Sequence, residues 1–122
     1  MPWKFEDDSP IYIQIVEEIK RQIASGELKG GDKMPAVREL ALQAGVNPNT
    51  MQKALVELER QGFLYTQRTS GRFVKEDISQ RKLREEQAQQ FMKEFTEKML
   101  TIGYDNSELV EIYEKYIKEE YL

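Results

Sequence analysis

Ala44-Gly45-Val46, with Asn47-Pro48 directly behind it, limits what this chain can build more than any other stretch. Upstream, Val37, Leu40 and Ala41 fall on one side of a short helix expected over 36–43. Downstream, Met51, Ala54, Leu55 and Leu58 give the inward stripe of a second helix running to about Gln61, with Gly62 as its stop. Asn47 is a good N-cap, and Pro48 suits the first helical position, where no backbone donor is needed. Two helices across so short a glycine turn make a helix-turn-helix.

The flanking segments fit that unit. Ile11, Ile15, Ile19 and Ile23 recur at spacing four, with Tyr12 and Val16 beside them, so an amphipathic helix precedes the pair and ends at Gly26. Ser9-Pro10 is expected to supply its N-cap and first-position proline. Ahead of it, 1–8 reads as an extended arm laying Trp3 and Phe5 on the domain. After Gly62, Phe63-Leu64-Tyr65-Thr66 and Arg72-Phe73-Val74 are strand-formers around a polar link, Gln67 to Gly71, which is a short hairpin, or wing. Residues 76–79 read as a hinge, and a long polar helix is expected from about Gln80. Its Ala88, Met92, Phe95, Met99 and Ile102 follow a 4-3-4-3 spacing, widened by Phe91 and Leu100. Gly103 breaks it, and Asn106 or Ser107 is expected to cap a last helix with Leu109, Val110, Ile112, Tyr113, Tyr116 and Ile117 on a broad apolar side. The fold class is therefore mainly α with a small β-hairpin: a winged helix-turn-helix plus a two-helix C-terminal tail.

Composition removes whole classes of chemistry. With no Cys and no His among 122 residues, disulfides, thiol catalysis, thiolate metal sites and the commonest general base are absent. No phosphate-cradling glycine loop is present either, since Gly30-Gly31 is a turn; no enzyme, metal or cofactor is expected. No apolar run is long enough for a membrane span, and the acidic, polar start is unlike a secretory signal, so a cytoplasmic address is expected. The net charge of −4 looks hostile to nucleic acid, but it is unevenly spread: 1–75 carries 11 basic and 10 acidic residues, 76–122 carries 7 and 12. A DNA reader needs only a local basic face.

On the second helix of the pair, Asn49, Gln52 and Lys53 share the face opposite the apolar stripe. Such a helix enters the major groove with its N-terminal residues at base edges. Amide side chains suit adenine, and Lys53 reaches a guanine edge or a phosphate. Asn47, Thr50 and the free N–H groups at the helix start suit a phosphate. The plainer readings stand beside these: Asn47 is first a cap, Thr50 completes the capping turn, and Gln52 and Lys53 are a solvated face. Arg38, outward on the first helix of the pair, suits a phosphate or groove-edge base, or else a salt bridge. In the wing, Arg68, Thr69, Ser70 and Arg72 suit a minor groove, or else simply keep the hairpin soluble.

Taken in order, Pro10-Ile11-Tyr12 with Gln14-Ile15, Ile23-Ala24-Ser25-Gly26-Glu27-Leu28, Gly31-Asp32-Lys33-Met34-Pro35, Val37-Arg38-Glu39-Leu40-Ala41, Gly45-Val46-Asn47-Pro48-Asn49-Thr50, Ala54-Leu55-Leu58-Gly62 and Gly71-Arg72-Phe73-Val74 resemble the GntR family of bacterial regulators. The resemblance implies a homodimer on a palindromic double-stranded operator, with Arg38, Asn47, Asn49 and Thr50 at family contact positions. Many members carry Arg where this chain has Pro48 and Gln52, which implies a different operator, less dependent on Arg–guanine pairs; many carry Gly where it has Thr69, which argues against a close backbone approach at the wing tip. The tail of about 45 residues is too short to enclose a ligand pocket of roughly 300 Å³ in one subunit. It is similar to the YtrA-type subfamily, often tied to transporter operons.

The expected organisation is a DNA-binding domain over 1–76 and a helical dimerisation domain over 77–122. Ala88, Phe91, Met92, Phe95, Met99, Ile102, Tyr113 and Tyr116 are the expected dimer residues, and an effector pocket between subunits is the alternative use of the aromatics. The expected function is a sequence-specific regulator, with repression as the expected sign. A winged-helix protein–protein adaptor that does not bind DNA is the alternative.

Overall fold

Every fourth residue of the first amphipathic segment is isoleucine, and that stripe winds into helix α1, Ile11–Ser25. The structure, a computed structural model, describes residues 3–122. Met1 and Pro2, the start of the expected arm, lie outside the described residues. After α1 come α2 (Val37–Ala44), α3 (Pro48–Arg60), β1 (Leu64–Gln67), β2 (Gly71–Val74), α4 (Gln80–Thr101) and α5 (Asn106–Tyr121). This is a mainly helical winged helix-turn-helix followed by two helices. The chain divides into two compact units, Met1–Arg84 and Glu85–Leu122.

In the first unit α3 packs against both α1 and α2. Ile15, Ile19 and Ile23 of α1, Leu40, Ala41 and Ala44 of α2, and Met51, Ala54, Leu55 and Leu58 of α3 close a common core, joined by Leu64 and Val74 of the hairpin. The strands pair antiparallel, Leu64 opposite Val74 and Tyr65 opposite Phe73. The Tyr65 and Phe73 rings stack at 5.7 Å on the outer face. The loop before α2 adds a third rung beyond β2: Met34 N–H donates to Arg72 O at 2.8 Å and Val74 N–H to Asp32 O at 2.9 Å. The arm lies down as expected, with Trp3 and Phe5 packed on the core and Trp3 N–H donating to Ala44 O at 3.2 Å.

Three local expectations are corrected. Ser9 does not cap α1. Pro10 takes that place with an extended ψ of 143°, and no side chain caps the helix. Gln14 is the reason: its amide accepts from Glu6 N–H at 2.7 Å and donates to Glu6 O and Ser9 O at 2.8 and 2.9 Å. That clamp turns Ser9 away from the helix start. Asp105, not Asn106 or Ser107, caps α5, because only Asp105 stands three residues before a glutamate that can return the bond. Asp105 accepts from Glu108 N–H at 2.9 Å, and the Glu108 carboxylate accepts from Asp105 N–H at 3.1 Å. Residues 76–79 are not a loose hinge. A Cβ on Gly30 would stand 3.0 Å from Glu76 Cα, and Ile78 packs on the core. Gln80 Nε2 then donates to Ala24 O at 3.1 Å, and Leu83 is buried in the first unit's core.

The second unit has little interior of its own. Leu109 is its buried hydrophobic among the described residues. Phe95 and Tyr113 bring their ring centroids to 5.6 Å, Tyr113 and Tyr116 to 6.5 Å. All three rings stay about half exposed, as does Phe91 at 57%. Ala88, Met92 and Ile102 are exposed and Met99 is half-buried.

Leu83 makes the first turn of α4 part of the head's core. Leu83→Ala is expected to lower the head's unfolding free energy by about 2–5 kcal/mol. Chemical denaturation followed on Trp3, the one tryptophan, measures this, and an unchanged midpoint would contradict the placement.

Candidate nucleic-acid interface

The inward residues of α3 decide what faces out. Met51, Ala54, Leu55 and Leu58 are completely buried, so at 3.6 residues per turn the opposite side must carry Asn49, Gln52, Lys53 and Val56, and all four are exposed. The turn that presents this helix depends on Gly45, whose φ of 75° is left-handed. Its N–H and that of Val46 both close on Ala41 O, at 2.9 and 3.0 Å, ending α2. At the start of α3 the Asn47 side-chain Oδ1 accepts from Asn49 N–H at 2.7 Å, and Pro48 holds the first helical position. Asn47 is thus a cap, and Thr50 is half-exposed in the first turn.

The candidate residues fall into three groups by what holds them. Arg38 on α2 and Arg68 at the wing tip are exposed and have no ion-pair partner among the described residues. Thr69 and Ser70 share that tip with Arg68, and Ser70 N–H closes the turn on Gln67 O at 3.3 Å. Lys53 has a different support: its Nζ stands 4.0 Å from the centroid of the Tyr12 ring on α1. Arg72 is the third kind. It sits at the wing's root rather than its tip, largely covered, with Nε 2.8 Å from Glu59 Oε1. Thr66 donates to the same carboxylate. Burial pushes the Glu59 carboxyl up, but the hydrogen bonds from Arg72 and Thr66 outweigh it and leave the carboxyl below its usual range. Arg72 therefore carries a matched counter-charge, and Glu59 ties the end of α3 to the wing.

Sequence reasoning missed Tyr12, Lys33 and Glu59. Lys33 lines the groove between wing and helix pair with Gln52, Ser70 and Arg72. Its Cε would stand 3.2 Å from a Cβ on Gly71. Each acts across a contact distant in sequence, which periodicity along one element cannot signal. Among the described residues no cluster of carboxylates forms a metal site, and no helix is long and apolar enough to cross a membrane.

Residues 11–74 match the family described as bacterial regulatory proteins, gntR family. The chain belongs to the GntR family. It is 36% identical to the HTH-type transcriptional regulator YhcF of Bacillus subtilis (strain 168), over 88% of this chain and 90% of that one. It is 46% identical to the HTH-type transcriptional repressor YtrA of the same organism, over 57% of this chain and 53% of the relative. Among solved structures, a GntR family transcriptional regulator from Listeria monocytogenes superposes with a TM-score of 0.79 at 37% identity, covering 91% of this chain and 98% of that one. The AraR DNA-binding domain in complex with operator ORR3 superposes at 0.52 with 38% identity, covering 61% and 89%. This GntR protein is a DNA-binding transcriptional regulator of the short YhcF/YtrA-like kind, and not an enzyme.

The Glu59 pairing sets a pH dependence for the wing. A carboxyl lowered by folding contributes stability that is fully present above its unfolded value and is lost as pH falls through its folded value. Amide protection over Leu64–Val74 should therefore drop in acid below the ordinary carboxylate range. Glu59→Gln should show the loosened wing already at neutral pH, by about 1 kcal/mol or less for a solvent-screened pair. Equal wing protection in both proteins at neutral pH would contradict this.

Proposed function

We propose that this regulator acts as a homodimer, each head reading one half of a palindromic operator through α3 and the wing, as a repressor of a transporter operon in the cytoplasm. The observation that carries the reading is the division of α3: one face wholly buried, the other offering Asn49, Gln52 and Lys53 to solvent at the end of the helix that enters a groove. Gln52 is the base reader, suited to adenine. Lys53, Asn49 and Arg38 serve the groove edge and phosphates, and Arg68, Thr69 and Ser70 meet the backbone or minor groove beside it. Asn47 and Thr50 hold the helix start on a phosphate, and Arg72 supports the wing. The reading unit runs to Arg84, with Leu83 in its core, and 85–122 is the dimerising unit, so the division falls beyond the 76/77 boundary expected from the sequence. Two relatives support the reading: AraR's domain was crystallised on an operator, and YtrA carries the name of a repressor.

Dimerisation follows from the tail's surface. Phe91, Met92, Phe95, Ile102, Tyr113 and Tyr116 leave large apolar side chains in water, and the Phe95, Tyr113 and Tyr116 rings meet one another. Surface of that kind is what a second copy buries, at roughly 25 cal/mol per Å². Ala88 and Met99 complete the seam's spacing. The acidic tail, net −5 over 76–122, keeps away from DNA while the heads engage it.

Selection from a random duplex pool, followed by footprinting on the enriched sequence across a salt series, tests the reading. A protected palindrome with a steep salt slope is expected, and no enrichment by a well-folded dimer would overturn it. On that duplex Gln52→Ala should relax preference at one base pair by about 1–3 kcal/mol. Phe95→Ala should shift sedimentation toward monomer at low concentration and weaken operator binding along with it.

A further inference from the structure

The cations of α3 and the wing are supported in two ways, by carboxylates and, at Lys53, by a ring. Arg60 is held by Glu57 at 2.6 Å and Arg72 by Glu59 at 2.8 Å, and each loses its net charge to its partner. Lys53 instead lies over an aromatic face. Its Nζ is 4.0 Å from the Tyr12 ring centroid, well inside the roughly 6 Å over which a ring quadrupole attracts a cation. No ion pair to Lys53 is present among the described residues. The ring is itself fixed: Tyr12 is half-buried and packs on the core from the first turn of α1. Gln14, two residues on, locks the arm against that turn.

A ring and a carboxylate hold a lysine differently. A carboxylate supplies acceptor atoms and a full opposite charge, which a phosphate would have to displace. A ring face restricts the four-carbon stem and leaves the positive charge in place, with ammonium donors still open on the side away from the ring. We propose that Tyr12 is a positioning residue for DNA binding, its ring seating the Lys53 ammonium beside the reading face of α3 without neutralising it. This rests on the reading of α3 as the groove helix. It makes α1 part of the interface although α1 itself need touch nothing.

The test is a double-mutant cycle in the full-length protein, with the duplex that the wild type enriches from a random pool as probe. Tyr12→Phe keeps the ring and should bind within about 2-fold of wild type. Tyr12→Leu removes the ring and should weaken binding about 2- to 5-fold. In a Lys53→Met background, Tyr12→Leu should have no further effect. Fluorinated phenylalanines at position 12 keep the packing while draining the ring's negative face, so they serve even where Tyr12→Leu unfolds. Affinity should fall stepwise with fluorination in the Lys53 protein and stay flat in Lys53→Met. Upfield ring-current shifts of the Lys53 side-chain protons should appear in the free protein. An equal Tyr12→Leu loss in both backgrounds, or flat affinity across the fluorinated series, would overturn the proposal while leaving the groove reading standing. A Tyr12→Phe loss as large as that of Tyr12→Leu would do the same, by assigning the effect to the phenol hydroxyl. Failure of the wild type to enrich any duplex would overturn the groove reading and this proposal together.

Discussion

The burial of Met51, Ala54, Leu55 and Leu58 against α1 and α2 is the contact on which everything else in the head depends. A 13-residue helix cannot be rotated about its axis once four of its side chains are locked into a core. Packing at interior density leaves no alternative seating for them. That single constraint selects which residues meet solvent. The hairpin is fastened to the same core by Leu64 and Val74 and to the end of α3 by Glu59. Helix and wing are thus joined through a shared core and an ion pair as well as through the chain between them.

The basic residues show how a protein of negative net charge keeps some of its cations unpaired by carboxylates. Arg21, Arg60 and Arg72 are spent on carboxylates and serve structure. Arg38 and Arg68 stand without such partners among the described residues, and Lys53 is braced by a ring. Counting charges along the chain treats these six alike. The structure separates them by what each guanidinium or ammonium would have to give up before meeting a phosphate.

Much of this was legible in the sequence because it was local. The isoleucine stripe of α1, the Gly45 turn, the Asn47 cap and the inward set of α3 each repeat a short-range rule, and each stands where periodicity put it. The failures also have physical causes. Ser9 has the chemistry of a cap but lost the position to a clamp made by Gln14, five residues further on. Asp105 took the α5 cap from two equally plausible neighbours because a reciprocal bond to Glu108 outweighs a single one. The stretch 76–79 looked like a linker by composition, yet Ile78 packs on the head's core and Leu83 is buried in it. Arg72 was read as a wing cation, but its pairing with Glu59 was hidden because the sequence does not say that the end of α3 passes beside β2. Tyr12 was read only as a neighbour of the α1 stripe. Its position over Lys53 follows from how α1 crosses α3, which neither helix encodes alone.

The start of α3 is the clearest case of a local choice with a distant chemical effect. A helix ordinarily opens with several unsatisfied amide hydrogens, and together these make its end attractive to anions. Here the first of those hydrogens does not exist, because Pro48 has none. The second is consumed by the Asn47 side chain. Thr50 is left with the one amide of this first turn that is still unspent among the described residues. Stability at the helix start and appetite for anions are drawn from the same small stock of N–H groups, and here both Pro48 and the Asn47 cap reduce it.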